Sequence, residues 1–200
     1  MAKGNNSMQA HTKNLFKMVI TLATIAIVSA FVLSSVYQIT KEPIAKAKDA
    51  KELSAISQVV GEFDNDPFAE KMTIITSNKK DKLTFFPARK NGVINSFAIK
   101  TYSNSGFGGK IEMIAGFYID GSIKSFKITS HQETPGLGSK ADDAKFKQQF
   151  DGFNPKKHKF KVKQDGGDID AVTAATITSR AVIDAITRAL DAYNNFNAGK

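Results

Sequence analysis

The chain contains no cysteine. That excludes disulfides, thiolate metal sites, iron–sulfur clusters and lipoprotein-type acylation together. Histidine is scarce: His11, His131 and His158 stand far apart, which argues against a zinc site. Any redox chemistry must therefore come from a cofactor held by other means. No charged residue occurs between Met18 and Thr40. No internal repeat or low-complexity tract is present. The net charge of +9 raises nucleic acid as a partner, but the sequence has no RNP-like motif, zinc finger or basic recognition helix. Solvation of an exposed surface and attraction to anionic lipid headgroups are the other readings of that excess.

The uncharged stretch is long enough to cross the hydrocarbon of a bilayer as a helix. Tyr37 sits where an interfacial aromatic would. Val28-Ser29-Ala30 has the look of a cleavage site, but the apolar run continues past it, which favours a retained anchor. Lysines lie on both flanks, Lys3, Lys13 and Lys17 before and Lys41, Lys46, Lys48 and Lys51 after. The positive-inside rule is close to a tie, so charge leaves the orientation open. The expected organisation is an N-terminal tail over 1–17, a transmembrane helix over 18–40, an amphipathic connecting helix over 41–60 and one domain over 61–200. Pro43 suits the first turn of that connecting helix, and Ile44, Ala47, Leu53, Ile56 and Val60 follow at helical spacing.

From about 72 to 130 the hydrophobic period falls to two. Asn91-Gly92 and Asp120-Gly121 are hairpin signals, because these residues tolerate positive φ. An antiparallel sheet is expected, with the glycine-rich "SNSGFGGK" as a loop between the hairpins. Glycines there permit close backbone approach to a ligand. Pro135, Gly136 and Gly138 in "HQETPGLGSK" force a defined turn. A helix is expected over about 140–151, then an edge strand in "HKFKVKQ" with Phe160 and Val162 inward. A final helix over 179–194 carries an apolar stripe of Val182, Ala185, Ile186, Ala189, Leu190 and Tyr193. The fold class is α+β: one membrane helix, then an antiparallel sheet flanked by helices.

"DAVTAATITSRAV", residues 170–182, crowds hydroxyls just ahead of that helix. Thr178 or Ser179 can cap it. Thr173 and Thr176 are then left over, flanked by the small Ala174 and Ala175. A phosphate is one natural guest at such a helix start; spare threonines on a capped helix are the plainer reading.

Asp170, Thr173, Ala174, Ala175 and Thr176 resemble the flavin-attachment motif of the FMN-binding domain family: aspartate, two residues, then Ser/Thr-Gly-Ala-Thr. Ala174 stands where glycine is usual. "SGFGGKIEMIAGFYIDGSIKSFKITSHQETPGLG" is similar to the segment preceding attachment in the G-subunit family of Rnf ion-translocating electron-transport complexes, related to the C subunits of Na+-translocating NADH:quinone reductases. The resemblance spans about 15–195.

It implies FMN joined through its phosphate to Thr176, with Thr173 and Thr178 donating to phosphate oxygens. Thr134 and Leu137 would contact the ring. Glu133, Gly106, Ala174 and Ala175 complete the expected cofactor-binding set. No catalytic acid, base or nucleophile is expected, nor a resident metal; Asp170 would belong to the motif recognised by a flavin transferase that uses FAD and Mg2+. The implied setting is the outer face of the cytoplasmic membrane, in a complex coupling ferredoxin/NAD electron transfer to Na+ or H+ movement. Two alternatives stay open: a subunit of a different respiratory complex such as the quinone reductase, or a non-redox membrane-anchored binding module.

Overall fold

The computed structural model describes residues 4–198. The chain divides between Ala50 and Lys51 into two units. The first consists of most of one helix, α1 (Gly4–Val60). Its large apolar side chains, Leu15 to Ile39, are all exposed, and the helix is long and apolar enough to cross a membrane. The hydroxyls of Thr21, Thr24, Ser35 and Thr40 each donate to the carbonyl four residues back. Polar groups are thereby satisfied inside the helix, which a bilayer requires.

Pro43 lies inside α1 and does not begin a separate connecting helix. A proline removes one intrahelical N–H donor and crowds the preceding turn. The helix carries on past it.

The second unit is built on a five-stranded antiparallel meander in sequential order: β1 (Met72–Ile75), β2 (Lys82–Lys90), β3 (Val93–Gly106), β4 (Gly109–Tyr118) and β5 (Ile123–Ser130). Asn91 and Gly92 both adopt positive φ, 55° and 77°, and close the β2–β3 hairpin as a two-residue mirror-image turn. Asp120-Gly121 also makes a turn, within a four-residue connection in which the Asp120 carboxylate accepts from the Ser122 amide at 2.9 Å. "SNSGFGGK" is not a loop: β3 and β4 run through it, Gly106 pairs with Gly109, and only Phe107 and Gly108 form the tip.

Both sheet faces are covered, which is why the central strands β2, β3 and β4 carry adjacent apolar residues such as Phe85-Phe86 and Phe97-Ala98 pointing opposite ways. One face meets α3 (Thr176–Ala198), whose Ala181, Ala185, Ala189 and Ala192 are fully buried. These small side chains allow close approach, and the buried Thr101 hydroxyl donates to the Ala185 carbonyl at 2.8 Å. Phe85, Phe97 and Phe117 stack in a row beneath Tyr193 on this face. The other face meets the end of α1: Ala55, Ile56, Val59 and Val60 pack on Phe86, Ala88, Ala98 and Ile114. Burying each large aliphatic side chain contributes about 1.5–3 kcal/mol.

Two expected elements do not form. The segment 140–151 is broken into short pieces, a 3-10 turn (Gly138–Asp142), the one-turn helix α2 (Ala144–Lys147) and another 3-10 turn (Gln148–Phe150). Phe146 and Phe150 are buried against Phe126, so core packing overrides helical continuity. "HKFKVKQ" is not an edge strand. Its one bridge is Val162 to Ile169, and Val162 is buried under irregular backbone. The helix α3 begins at Thr176, so neither Thr178 nor Ser179 caps it.

Candidate functional site

Three segments far apart in the chain meet at one cavity of about 360 Å3. They are the β3–β4 tip, the loop 131–138 after β5, and the passage from loop 170–175 into α3. Of the residues expected in a cofactor site, Glu133, Thr134, Leu137, Ala174, Ala175, Thr176 and Thr178 all line it. Phe107, Gly138 and Ile177 line it as well and were not foreseen. Phe107, Leu137 and Ile177 are large apolar side chains that remain exposed, Phe107 by 70 %. Their exposure around a cavity is the signal that composition could not carry.

The loop 131–138 is folded by its own polar groups. The Glu133 amide donates to His131 Nδ1 at 3.1 Å and the Gly136 amide to Ser139 Oγ at 2.9 Å. Beyond the loop, Asp142 receives Lys127 at 2.5 Å, Lys147 at 2.6 Å and the Ile128 amide at 3.2 Å. Burial alone would raise the Asp142 pKa, but the two lysines and that amide outweigh it and hold the carboxylate below its ordinary value.

Glu133 is buried at the cavity wall. Its Oε1 accepts from the Gly108 amide at 2.9 Å and its Oε2 from the Thr178 hydroxyl at 2.5 Å. One carboxyl thus ties the strand tip, the loop and α3 together. Thr178 lines the cavity, and its hydroxyl donates to Glu133. Gly106 stands behind the wall: a Cβ there would come within 2.6 Å of Glu133 Oε1.

The loop 170–175 resolves the crowded hydroxyls. Ser179 Oγ accepts from the Val172 amide at 2.9 Å and donates to the Ala175 carbonyl at 3.0 Å. Thr178 is committed to Glu133. Thr176 is partly buried, and among the described residues its hydroxyl has no hydrogen-bond partner. It sits at the first residue of α3, where backbone amides lack intrahelical acceptors and the helix end is partially positive. Ala174 is held at φ 60°, the left-handed region that favours glycine.

Thr173 and Asp170 face elsewhere. They line a second cavity of about 690 Å3 with Lys140, Lys145 and Gln149, because the left-handed turn at Ala174 separates them from Thr176. Asp170 is exposed and pairs with Lys163 at 2.8 Å. Gln149 holds its backbone from both sides, accepting from the Asp170 amide at 2.7 Å and donating to its carbonyl at 3.1 Å. Among the described residues no group of three or more His, Cys, Asp or Glu side chains is placed to hold a metal ion.

The chain is similar to known proteins over most of its length. Residues 106–191 match the FMN-binding domain, and residues 8–59 match the RnfG N-terminal region. The G subunit of the ion-translocating oxidoreductase complex of Aliivibrio fischeri is 34 % identical over 185 residues, covering 87 % of this chain and 88 % of that protein. The corresponding G subunit of Vibrio cholerae is 31 % identical over 183 residues, covering 86 % and 87 %. Among solved structures, the C subunit of the Na+-translocating NADH-quinone reductase from Parabacteroides distasonis aligns with a TM-score of 0.48 at 19 % identity, covering 70 % of this chain and 79 % of that one. By its matched regions and the extent of its likeness to these relatives, the chain belongs to the G-subunit family of ion-translocating oxidoreductase complexes.

Proposed function

We propose that this chain is a membrane-anchored electron carrier holding FMN as a phosphoester on Thr176. The observation that carries the reading is the meeting of Thr176, its hydroxyl free of any partner among the described residues, with Thr134 and Leu137 at one cavity. The residues fit the group. An apolar rim of Phe107, Leu137 and Ile177 suits a flat aromatic ring, and the amides of the first turn of α3 suit its phosphate. The cavity volume lies in the range of small-molecule sites. FMN supplies one- and two-electron chemistry when bound; the protein's part is to hold and orient it.

Attachment is a single maturation event. A transferase using FAD and Mg2+ forms the bond between Thr176 Oγ1 and the flavin phosphorus. The pyrophosphate bond breaks, AMP leaves, and the threonine proton passes to solvent or to a base of the transferase. Asp170, outside the cavity and exposed, is the part of the motif accessible to that enzyme. A phosphoester keeps the cofactor where no free pool replaces it. In this reading residues 1–17 stay cytoplasmic, 18–40 span the membrane, and the second unit lies on the outer face. There it relays electrons between membrane partners of an Rnf-type complex that couples ferredoxin/NAD electron transfer to Na+ or H+ movement.

The test is coexpression with a flavin transferase, followed by a denaturing gel under ultraviolet light. The expected result is a fluorescent band that disappears in Thr176→Ala. A dark wild-type band beside a labelled control substrate would overturn covalent attachment, and a band that persists in the variant would overturn the assignment to Thr176.

A further inference from the structure

Among the described residues Glu133 is the one buried carboxylic side chain, 5 % exposed. The chain is shaped around it. Besides the Gly108 amide and the Thr178 hydroxyl, two glycines leave room for its oxygens. A Cβ at Gly106 would lie 2.6 Å from Oε1, and one at Gly138 would lie 2.5 Å from Oε2 and 2.9 Å from Thr178 Oγ1. No lysine or arginine pairs with it among the described residues. A buried acid without a cation costs stability, and a pure peg could be made from a neutral amide of the same shape.

We propose that Glu133 places a fixed negative charge beside the electron-accepting cofactor and so holds its reduction potential low. The proposal rests on the flavin reading given above. An electron added beside a fixed negative charge meets a repulsion that water screens poorly in a partly buried cavity. The Thr178 hydroxyl and the Gly108 amide draw off part of that charge. Glu133 takes no electron, and no bond to it forms or breaks.

The two obvious variants then act in opposite directions. Glu133→Gln keeps the shape and removes the charge, so the flavin midpoint potential rises. Thr178→Val keeps the charge and removes one donor to it, so the potential falls. Both variants disturb the same Thr178–Glu133 bond, so a merely structural role would move both potentials the same way. The experiment uses the full chain, loaded by coexpression and purified in detergent. Covalent flavin is confirmed by in-gel fluorescence, folding by thermal unfolding, and the potential is read from visible absorption during a reductive titration. A rise for Glu133→Gln with a fall for Thr178→Val supports the inference, and any other pattern overturns it. If Glu133→Gln does not load, Thr178→Val decides alone: a fall supports, and a rise or no change overturns. A wild type without fluorescence brings down the flavin reading itself, whereas a fluorescent wild type with the wrong pattern brings down only the role of Glu133.

Discussion

Ala174 is predicted to be a residue the fold would hold better as glycine. Its φ of 60° puts an L side chain where contact between Cβ and the backbone costs about 1–2 kcal/mol. Glycine escapes that cost but gives part back through the freedom of its unfolded chain, about 0.5–1 kcal/mol. The Ala174 methyl is exposed, so its removal forfeits little packing. Ala174→Gly is therefore expected to stabilise the second unit by about 0.5–1 kcal/mol, which raises Tm by about 1–4 °C for a unit of this size. Near-UV circular dichroism of the full chain in detergent is the suitable assay. Tyr102, Tyr118 and Tyr193 report on this unit, and only Tyr37 lies in the apolar helix. Ala175→Gly is the control. Ala175 is 7 % exposed and has no positive φ, so glycine there relieves no strain and removes a buried methyl worth about 0.8 kcal/mol; it is expected not to raise Tm. An Ala174→Gly melting point at or below that of the parent would refute the strain argument.

Two further outcomes follow from the loop and the sheet. Asp142 has its pKa held down in the folded state. The stability it contributes is complete above the ordinary aspartate value of about 3.9 and is lost as pH falls through the lower folded value. Asp142→Asn is expected to cost about 1.5–3 kcal/mol at pH 7 and to flatten the acid limb, as read by urea unfolding at a series of pH values; an unchanged acid limb would remove Asp142 from the account. Gly116→Ala would place a Cβ 2.4 Å from the Val59 carbonyl oxygen, in backbone that cannot yield cheaply. It is expected to destabilise by about 1–3 kcal/mol and to lower protection from hydrogen exchange in residues 55–60; native protection there would show that the helix end does not rest on β4.

The legible parts of this fold were those with a local cause. Asn91-Gly92 announced its hairpin because both residues had to take positive φ, and the apolar stripe of α3 follows from its period. Glu133, Thr134, Leu137, Ala174, Ala175, Thr176 and Thr178 are legible only by motif, since nothing local says that two distant loops converge. What misled was chemistry with two uses. Thr178 and Ser179 look like caps, yet their hydroxyls serve Glu133 and the Val172 amide, so α3 starts earlier with Ala175 before it. Thr173 stands near Thr176 in sequence, but the turn at Ala174 sends it to the second cavity. Phe160 and Val162 alternate with lysine as strand residues do, but they fill gaps beside Phe150 and Phe153 without a ladder. Phe107 carries no motif of its own, and only the two-residue tip makes it part of the wall.

The end of α1 has a consequence for how the protein can be cut. Ile56, Val59 and Val60 are almost fully buried, so the last turns of the helix that carries the apolar stretch are also ribs of the domain. The natural-looking excision point, Gly61, where the helix stops, would bare Phe86, Ala88, Ala98 and Ile114 to water and leave a fragment prone to clump. A protease that trims the helix beyond Ala50 does not release an intact domain; it removes part of its wall. Shedding the domain intact requires a cut further upstream, so the last turns of α1 must leave with whatever is released.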